Sequence, residues 1–281
     1  MFKKIAVVGT GLIGGSLALA IKKKKLAKEV IGVSKHKRSL LVAKRMRAID
    51  KGSLSLEVIR EADLVILATP VDLILSQAKK ISSLIGKECI VADVGSTKAL
   101  IVRCLEKNLP NYLGTHPIAG SEKRGIDNAS AELFKGCLCI FTPTAKTNKK
   151  TISKLDFFWK KLGAKTITLS PTKHDTILSS VSHLPHLAAF SLINSVPYRY
   201  LKFASSGLKD TTRLAGSDAR LWSSIFLSNR QNILKSLENF QKCLLGISSA
   251  LKAKNKKSLV RIIQSAKNKR LALEKILNLV E

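Results

Sequence analysis

The stretch KIAVVGTGLIGGSLALAIKKK, residues 4–24, decides the fold. An apolar run ends at Val8, a G-x-G-x-x-G turn follows at Gly9, Gly11 and Gly14, and the apolar spacing then becomes helical. In this pattern the first glycine makes a tight turn, the second lets the backbone approach a pyrophosphate, and the third packs helix on strand. The strand before it and the helix after it supply the required context, so the stretch predicts a dinucleotide-binding unit. The lysines at 22–25 stand at the expected helix end, where cations suit the helix dipole.

Six further strand-like runs follow: EVIGVS (29–34), ADLVILATP (62–70), ECIVADVGS (88–96), YLGTHP (112–117), CLCIFTP (137–143) and AKTITLS (164–170). Amphipathic stretches separate most of them, which indicates a parallel sheet with crossover helices. Beyond residue 171 the spacing is helical throughout and no repeat is visible. The expected architecture is α/β: a Rossmann-type, doubly wound, mainly parallel sheet over residues 1–170, then an all-helical domain over 171–281. The boundary is set at Ser170-Pro171.

The 281 residues are 45% hydrophobic and 5% aromatic, enough for one large core or two modest aliphatic ones. The formal net charge is +30. Its lysines are spread along the whole chain, with no arginine-rich tail, so no specific nucleic-acid partner is expected. A non-catalytic polyanion-binding protein stays as an alternative. No apolar run reaches the roughly 18–20 residues of a membrane span. With no targeting segment apparent, a cytoplasmic protein is expected. Five cysteines without a C-x-x-C pair read as free thiols, and no metal site is expected.

The candidate cofactor residues are Gly9, Gly11, Leu12, Ile13 and Gly14 in the turn, Ser34, Lys35 and Arg38 after the second strand, and Thr69 closing the third. An acid after the second strand would hold the ribose 2′-hydroxyl of NAD. Here Ser34 is followed by Lys35, His36, Lys37 and Arg38, a set that suits a 2′-phosphate. NADP is therefore expected ahead of NAD. Ligands of such sheets bind outside the carboxyl ends of the strands. DVGSTK (93–98) and GTHPIAGSEKRG (114–125) lie there, which makes His116 a candidate proton acceptor and Ser96 a candidate partner for it.

VGTGLIGGSLA (8–18), DVGSTKA (93–99), GTHPIAGSEKRG (114–125), SHLPHLAA (182–189) and SGLKDTTRLAGSDARLW (206–222) occur in one order across most of the chain. In them the chain resembles the prephenate/arogenate dehydrogenase family of tyrosine biosynthesis. The first motif is shared by many dehydrogenases, and the combination of HPIAG with HLPH and DTTR is the specific one. The resemblance implies oxidative decarboxylation of arogenate or prephenate, with hydride passing to the dinucleotide and no metal needed. It implies that His116 takes the proton of the ring 4-hydroxyl and that Ser96 helps to position His116 and the nicotinamide. It gives Arg213 the ring carboxylate and places His186 near the substrate side chain, with His183 structural. Glu122 and Asp210 match charged residues at the pocket entrance. Trp222 matches an aromatic that reaches the neighbouring subunit's site, since the family's helical domain forms a homodimer. Lys209 departs from the usual arginine, and the segment between HLPH and DTTR is short. A β-hydroxyacid dehydrogenase or imine reductase of the same two-domain plan is the other enzymatic reading, and in it His116 has no role.

Overall fold

The strands of the first part are apolar on both faces, and β1 (Phe2–Val8) shows why. Ile5 and Val7 pack into one core with Leu17, Ile21, Phe158 and Trp159. Ala6 and Val8 point the other way, into a second core with Val65, Leu67, Ile74 and Ile81. A strand covered on both sides needs apolar residues at every position, so the run shows no alternation. The computed structural model describes residues 2–119 and 125–278.

After β1 come β2 (Ala27–Val33), β3 (Lys51–Ser53), β4 (Leu64–Leu67), β5 (Ile90–Asp93), β6 (Tyr112–Pro117), β7 (Leu138–Thr142) and β8 (Lys165–Thr168). They form one sheet in the order β3-β2-β1-β4-β5-β6-β7-β8. The strands from β3 to β6 are parallel, β7 runs antiparallel to β6, and β8 is parallel to β7. The mainly parallel sheet is as expected. Sequence patterning missed β3: its three residues, Lys-Gly-Ser, have no apolar signal and are held by their pairing to Ile31, Gly32 and Val33. The winding reverses between β1 and β4, which opens a crevice at their carboxyl ends.

The helices of this part are α1 (Leu12–Lys23), α2 (Lys37–Arg45), α3 (Val71–Leu84), α4 (Ala99–Leu105) and α5 (Lys149–Lys161). A helical stretch then begins at Ser170, whose hydroxyl caps the amide of Lys173 at 3.2 Å, with Pro171 in the first turn. It runs through α6 (Pro171–Leu178), one π-helical segment at Ser179–His183, and α7 (Leu184–Ser195). Insertions of this kind gather at functional sites. Taken as one helix, Pro171–Ser195 is long and apolar enough to cross a membrane, which reading the sequence for unbroken apolar runs did not reveal. It also holds the buried polar side chains Ser179, whose hydroxyl donates to the Thr176 carbonyl at 2.7 Å, and His174, Asp175 and His183, whose partners are described below.

α8 (Ser206–Thr211) and α9 (Ala219–Ser228) follow, and contacts group everything through Arg230 into one compact unit. The second unit starts at Gln231 and contains nearly all of α10 (Arg230–Lys252) and α11 (Lys256–Asn278). Asn255 caps α11 by accepting the amide of Ser258 at 3.0 Å. Leu244, Leu245, Leu251, Val260 and Ile263 are exposed on these two helices. All five cysteines are free thiols, as expected, although Cys243 on α10 is exposed.

Candidate active site

The glycine turn is built as its spacing requires. Gly9 has φ +98°, and a side chain there would press on the carbonyl of Ala68 at 2.6 Å. A Cβ on Gly14 would lie 1.8 Å from the carbonyl oxygen of Gly9, so α1 packs against the turn only because that atom is missing. Gly11 faces open space, with nothing within 4 Å of the position a Cβ would take. No side chain caps α1, which leaves its first amides, those of Leu12 and Ile13 among them, for an anion. The hydroxyls of Thr10 and Thr69, just past β1 and β4, are buried without a hydrogen-bond partner. Buried hydroxyls rarely lack one, so a ligand fits here. The residues present suit a dinucleotide lying across this crevice.

The loop after β2 is exposed. Ser34 accepts the amide of His36 at 3.2 Å, and Lys35 is open to solvent. Arg38 is 82% exposed and stands 3.5 Å from Asp127.

Four of the five histidines gather at the other end of the site. His116, near the end of β6, is half-buried, and its Nδ1 lies 2.9 Å from Nε2 of His174. Nδ1 of His174 is 2.8 Å from Oδ1 of Asp175. That carboxylate also accepts the amides of Lys98 at 2.7 Å and Ala99 at 2.9 Å, at the start of α4. Asn229 donates to the carbonyl of Asp175 at 2.7 Å, and its Nδ2 lies 3.2 Å from Nδ1 of His183. His186 Nδ1 donates to the carbonyl of Ser182 at 2.9 Å, and its ring stacks on Trp222 at 3.5 Å. His183 is the last residue of the π-helical segment, and His186 lies in the first turn of α7.

Burial holds His116 well below the ordinary imidazole pKa of 6.5, and the neighbouring His174 and the Lys98 ammonium act in the same sense. Burial also lowers His174, against the opposing pull of Asp175. His183 is lowered to about 4, again mainly by burial. His186 is lowered by burial and, to a smaller extent, by the positive charge of Arg213. The cluster is therefore neutral near pH 7, with one guanidinium at its edge.

Beneath it lies a buried charged group. Asp93, at the end of β5, accepts from the Lys98 ammonium, from the Tyr112 hydroxyl at 2.6 Å and from the Gly95 amide at 2.9 Å. Thr115 donates to the Asp93 carbonyl at 2.6 Å. An ion pair with every group satisfied is tolerated in the interior, whereas a lone buried charge is not. These bonds fix the 94–98 loop that carries Ser96, and Thr97 meets Ser228 of α9 at 3.0 Å.

The structure thus links His116 to His186 and Trp222 through His174, Asp175, Asn229 and His183, whose ring meets Trp222 at 6.0 Å between centroids, and the charge of Arg213 reaches His186. Ser96 is on the adjacent loop, but the hydrogen bond to the His116 ring comes from His174. Trp222 is only 9% exposed and stacks on His186 within its own chain. Stacking on His186 and contact with Phe226 at 5.4 Å between ring centroids hold it there. Asp210 is exposed on α8, and Glu122 lies outside the described residues. Sequence reading missed His174, Asp175 and Asn229. A lone His-Asp pair in a helical pattern carries no spacing signal, and its meeting with His116 spans 58 residues.

Family models match the chain over almost its whole length. Residues 17–168 match the prephenate dehydrogenase nucleotide-binding domain and residues 170–265 the prephenate dehydrogenase dimerization domain. A cyclohexadienyl dehydrogenase of Zymomonas mobilis is 34% identical, covering 98% of this chain and 97% of its own. The prephenate dehydrogenase of Aquifex aeolicus, solved in complex with hydroxyphenyl propionate and NAD+, superposes with TM-score 0.92 at 33% identity, over 97% of this chain and 99% of that one. An arogenate dehydrogenase of Synechocystis gives TM-score 0.81 at 29% identity, over 96% and 99%.

Proposed function

The chain belongs to the prephenate dehydrogenase family, and from that premise we propose that it oxidatively decarboxylates arogenate, prephenate or both, giving tyrosine or 4-hydroxyphenylpyruvate. The observation that carries the reading is the neutral imidazole of His116 at the carboxyl end of the nucleotide-binding sheet, with Arg213 acting on the same histidine cluster. The cofactor is a nicotinamide dinucleotide, which accepts a hydride from ring carbon C4. In our reading His116 takes the 4-hydroxyl proton, and Ser96 lies beside the nicotinamide. Arg213 holds the carboxylate on C1. His186, with Trp222 behind it, borders the substrate side chain, and Glu122 and Asp210 flank the entrance. Rearomatisation of the ring drives loss of CO2. The protein acts in the cytoplasm as a homodimer. The matched dimerization domain and the exposed leucines and isoleucines of α10 and α11 support that assembly. The substrate and dimer domain is taken as residues 171–281. The test is direct: purified protein is assayed with prephenate and arogenate, each with NAD and NADP. Turnover of at least one cyclohexadienol is expected, and none with any of the four pairs would reject the reading.

We further assign NADP as the preferred cofactor. No acid follows β2, and Ser34, Lys35 and Arg38 supply a hydroxyl and two cations there. A 2′-phosphate would gain charge-assisted hydrogen bonds from them. Ser34→Asp should then shift the ratio of kcat/KM toward NAD by about 10-fold or more, because a carboxylate accepts from a free 2′-hydroxyl and repels a phosphate. The comparison is made at two salt concentrations, since an exposed cationic loop is screened. A wild type that prefers NAD, or a ratio unmoved by the substitution, would show these cations to be ordinary surface charge.

A further inference from the structure

We infer that His174 and Asp175 are positioning residues, which aim the bare Nε2 of His116 at the substrate hydroxyl and hold that proton's charge until the ring oxygen takes it back. The inference rests on the reading of His116 as the base.

The direction of the hydrogen bonds follows from the carboxylate. Asp175 accepts two backbone amides, one on each oxygen, as well as His174. An ionised carboxylate is acceptor-only, so Nδ1 of His174 must carry the hydrogen. In the neutral ring Nε2 is then the acceptor. It faces Nδ1 of His116 at 2.9 Å, so that nitrogen must be the donor. The one lone pair left on His116 is on Nε2. A base needs this tautomer, and nothing in an isolated imidazole selects it.

The same chain sets where charge goes. When Nε2 of His116 takes a proton, its Nδ1 hydrogen can pass to Nε2 of His174, and the cation then lies against Asp175. Among the other charged groups around the pair, the Lys98 ammonium from the β5–α4 loop resists a second cation, while its partner Asp93 acts weakly in the opposite sense; His183 before α7 is neutral. Cys139 of β7 and Tyr112 of β6 both stay protonated, because burial raises each. The relay therefore carries one proton.

One proton, returned, is what the reaction requires. The C4–H bond breaks and its electron pair leaves with the hydrogen as hydride to the nicotinamide. The hydroxyl proton moves to His116 as C4=O forms. The C1–carboxylate bond then breaks, CO2 departs, and its electron pair enters the ring. The C4 oxygen becomes a phenolate and recovers the proton from His116 Nε2, while the relay runs backwards. A hydroxyl enters and a hydroxyl leaves, so no proton needs a route to water. His174 is fully buried, which gives the relay no exit except through His116.

The first test needs no substrate. With only five histidines, 15N-labelled full-length protein at pH 7 should show His116 protonated at Nδ1 and bare at Nε2, with the resonance assigned by its loss in His116→Asn. The reverse tautomer would overturn the inference. The second test is His174→Gln, whose amide oxygen can still accept from His116 but cannot take a proton. We expect kcat to fall about 10- to 100-fold, while the substrate KM and dinucleotide affinity stay within about twofold. The curved dependence of kcat on the D2O fraction should become linear. Unchanged kcat, or a loss confined to KM, would remove the relay from the mechanism. If the wild type turns over neither cyclohexadienol, the proposed function fails, and the tautomer still decides the geometry.

Discussion

His116→Asn is expected to lower kcat by about 10² to 10⁴, the usual contribution of a general base. Dinucleotide affinity should barely change, because the crevice that suits the cofactor is built from the glycine turn and the ends of β1 and β4. The pH profile gives an independent check. Burial holds the His116 imidazole well below 6.5, so the neutral, proton-accepting form persists as pH falls through that value. Its protonation removes activity, and a lowered pKa moves that loss to more acid pH. The acid limb of kcat/KM, which reports the free enzyme, should therefore lie clearly below pH 6.5. Near-normal turnover of His116→Asn at pH 7 would show that another group takes the proton. An acid limb at or above 6.5 would show that the imidazole is not shielded as the structure describes.

The legibility of this chain follows from how far apart its interacting residues are. The glycine turn, its strand and its helix are contiguous, and Gly9 and Gly14 each answer to a close backbone contact, while Gly11 leaves the space beside it open. Apolar runs gave seven of the eight strands, since β1 and its neighbours are buried on both faces. β3 was lost because backbone pairing alone makes it a strand. At the site, His116, His186, Trp222 and Arg213 stand in recognisable motifs. The partners that orient them do not. The bond between His116 and His174, the capture of Asp175 by the amides of residues 98 and 99, and the bridge from Asn229 to His183 all join distant segments. No local period records such contacts. The inward stacking of Trp222 belongs to the same class, as it depends on the turn of helix that brings His186 beneath it.

Arg213→Ala should raise the substrate KM by about 10²-fold, the loss of a charge-assisted pair worth roughly 3 kcal/mol. The dinucleotide affinity should stay level. Arg213 opens the short helical turn Arg213–Gly216, and its charge is felt by His186, so it belongs to the histidine cluster and not to the glycine turn. A guanidinium presents two parallel N–H groups to a carboxylate, and an ammonium presents a point charge. Arg213→Lys should therefore recover part of the affinity and leave a residual defect. His186 supplies a second readout. The guanidinium is one of the influences that lower its pKa, so Arg213→Ala should let the His186 titration move up toward the ordinary value, whether or not substrate is present. A raised KM together with that upward shift places the carboxylate site beside His186. An Arg213→Ala protein with unchanged KM would put the substrate carboxylate elsewhere, and one with weakened dinucleotide binding would assign the guanidinium to the cofactor.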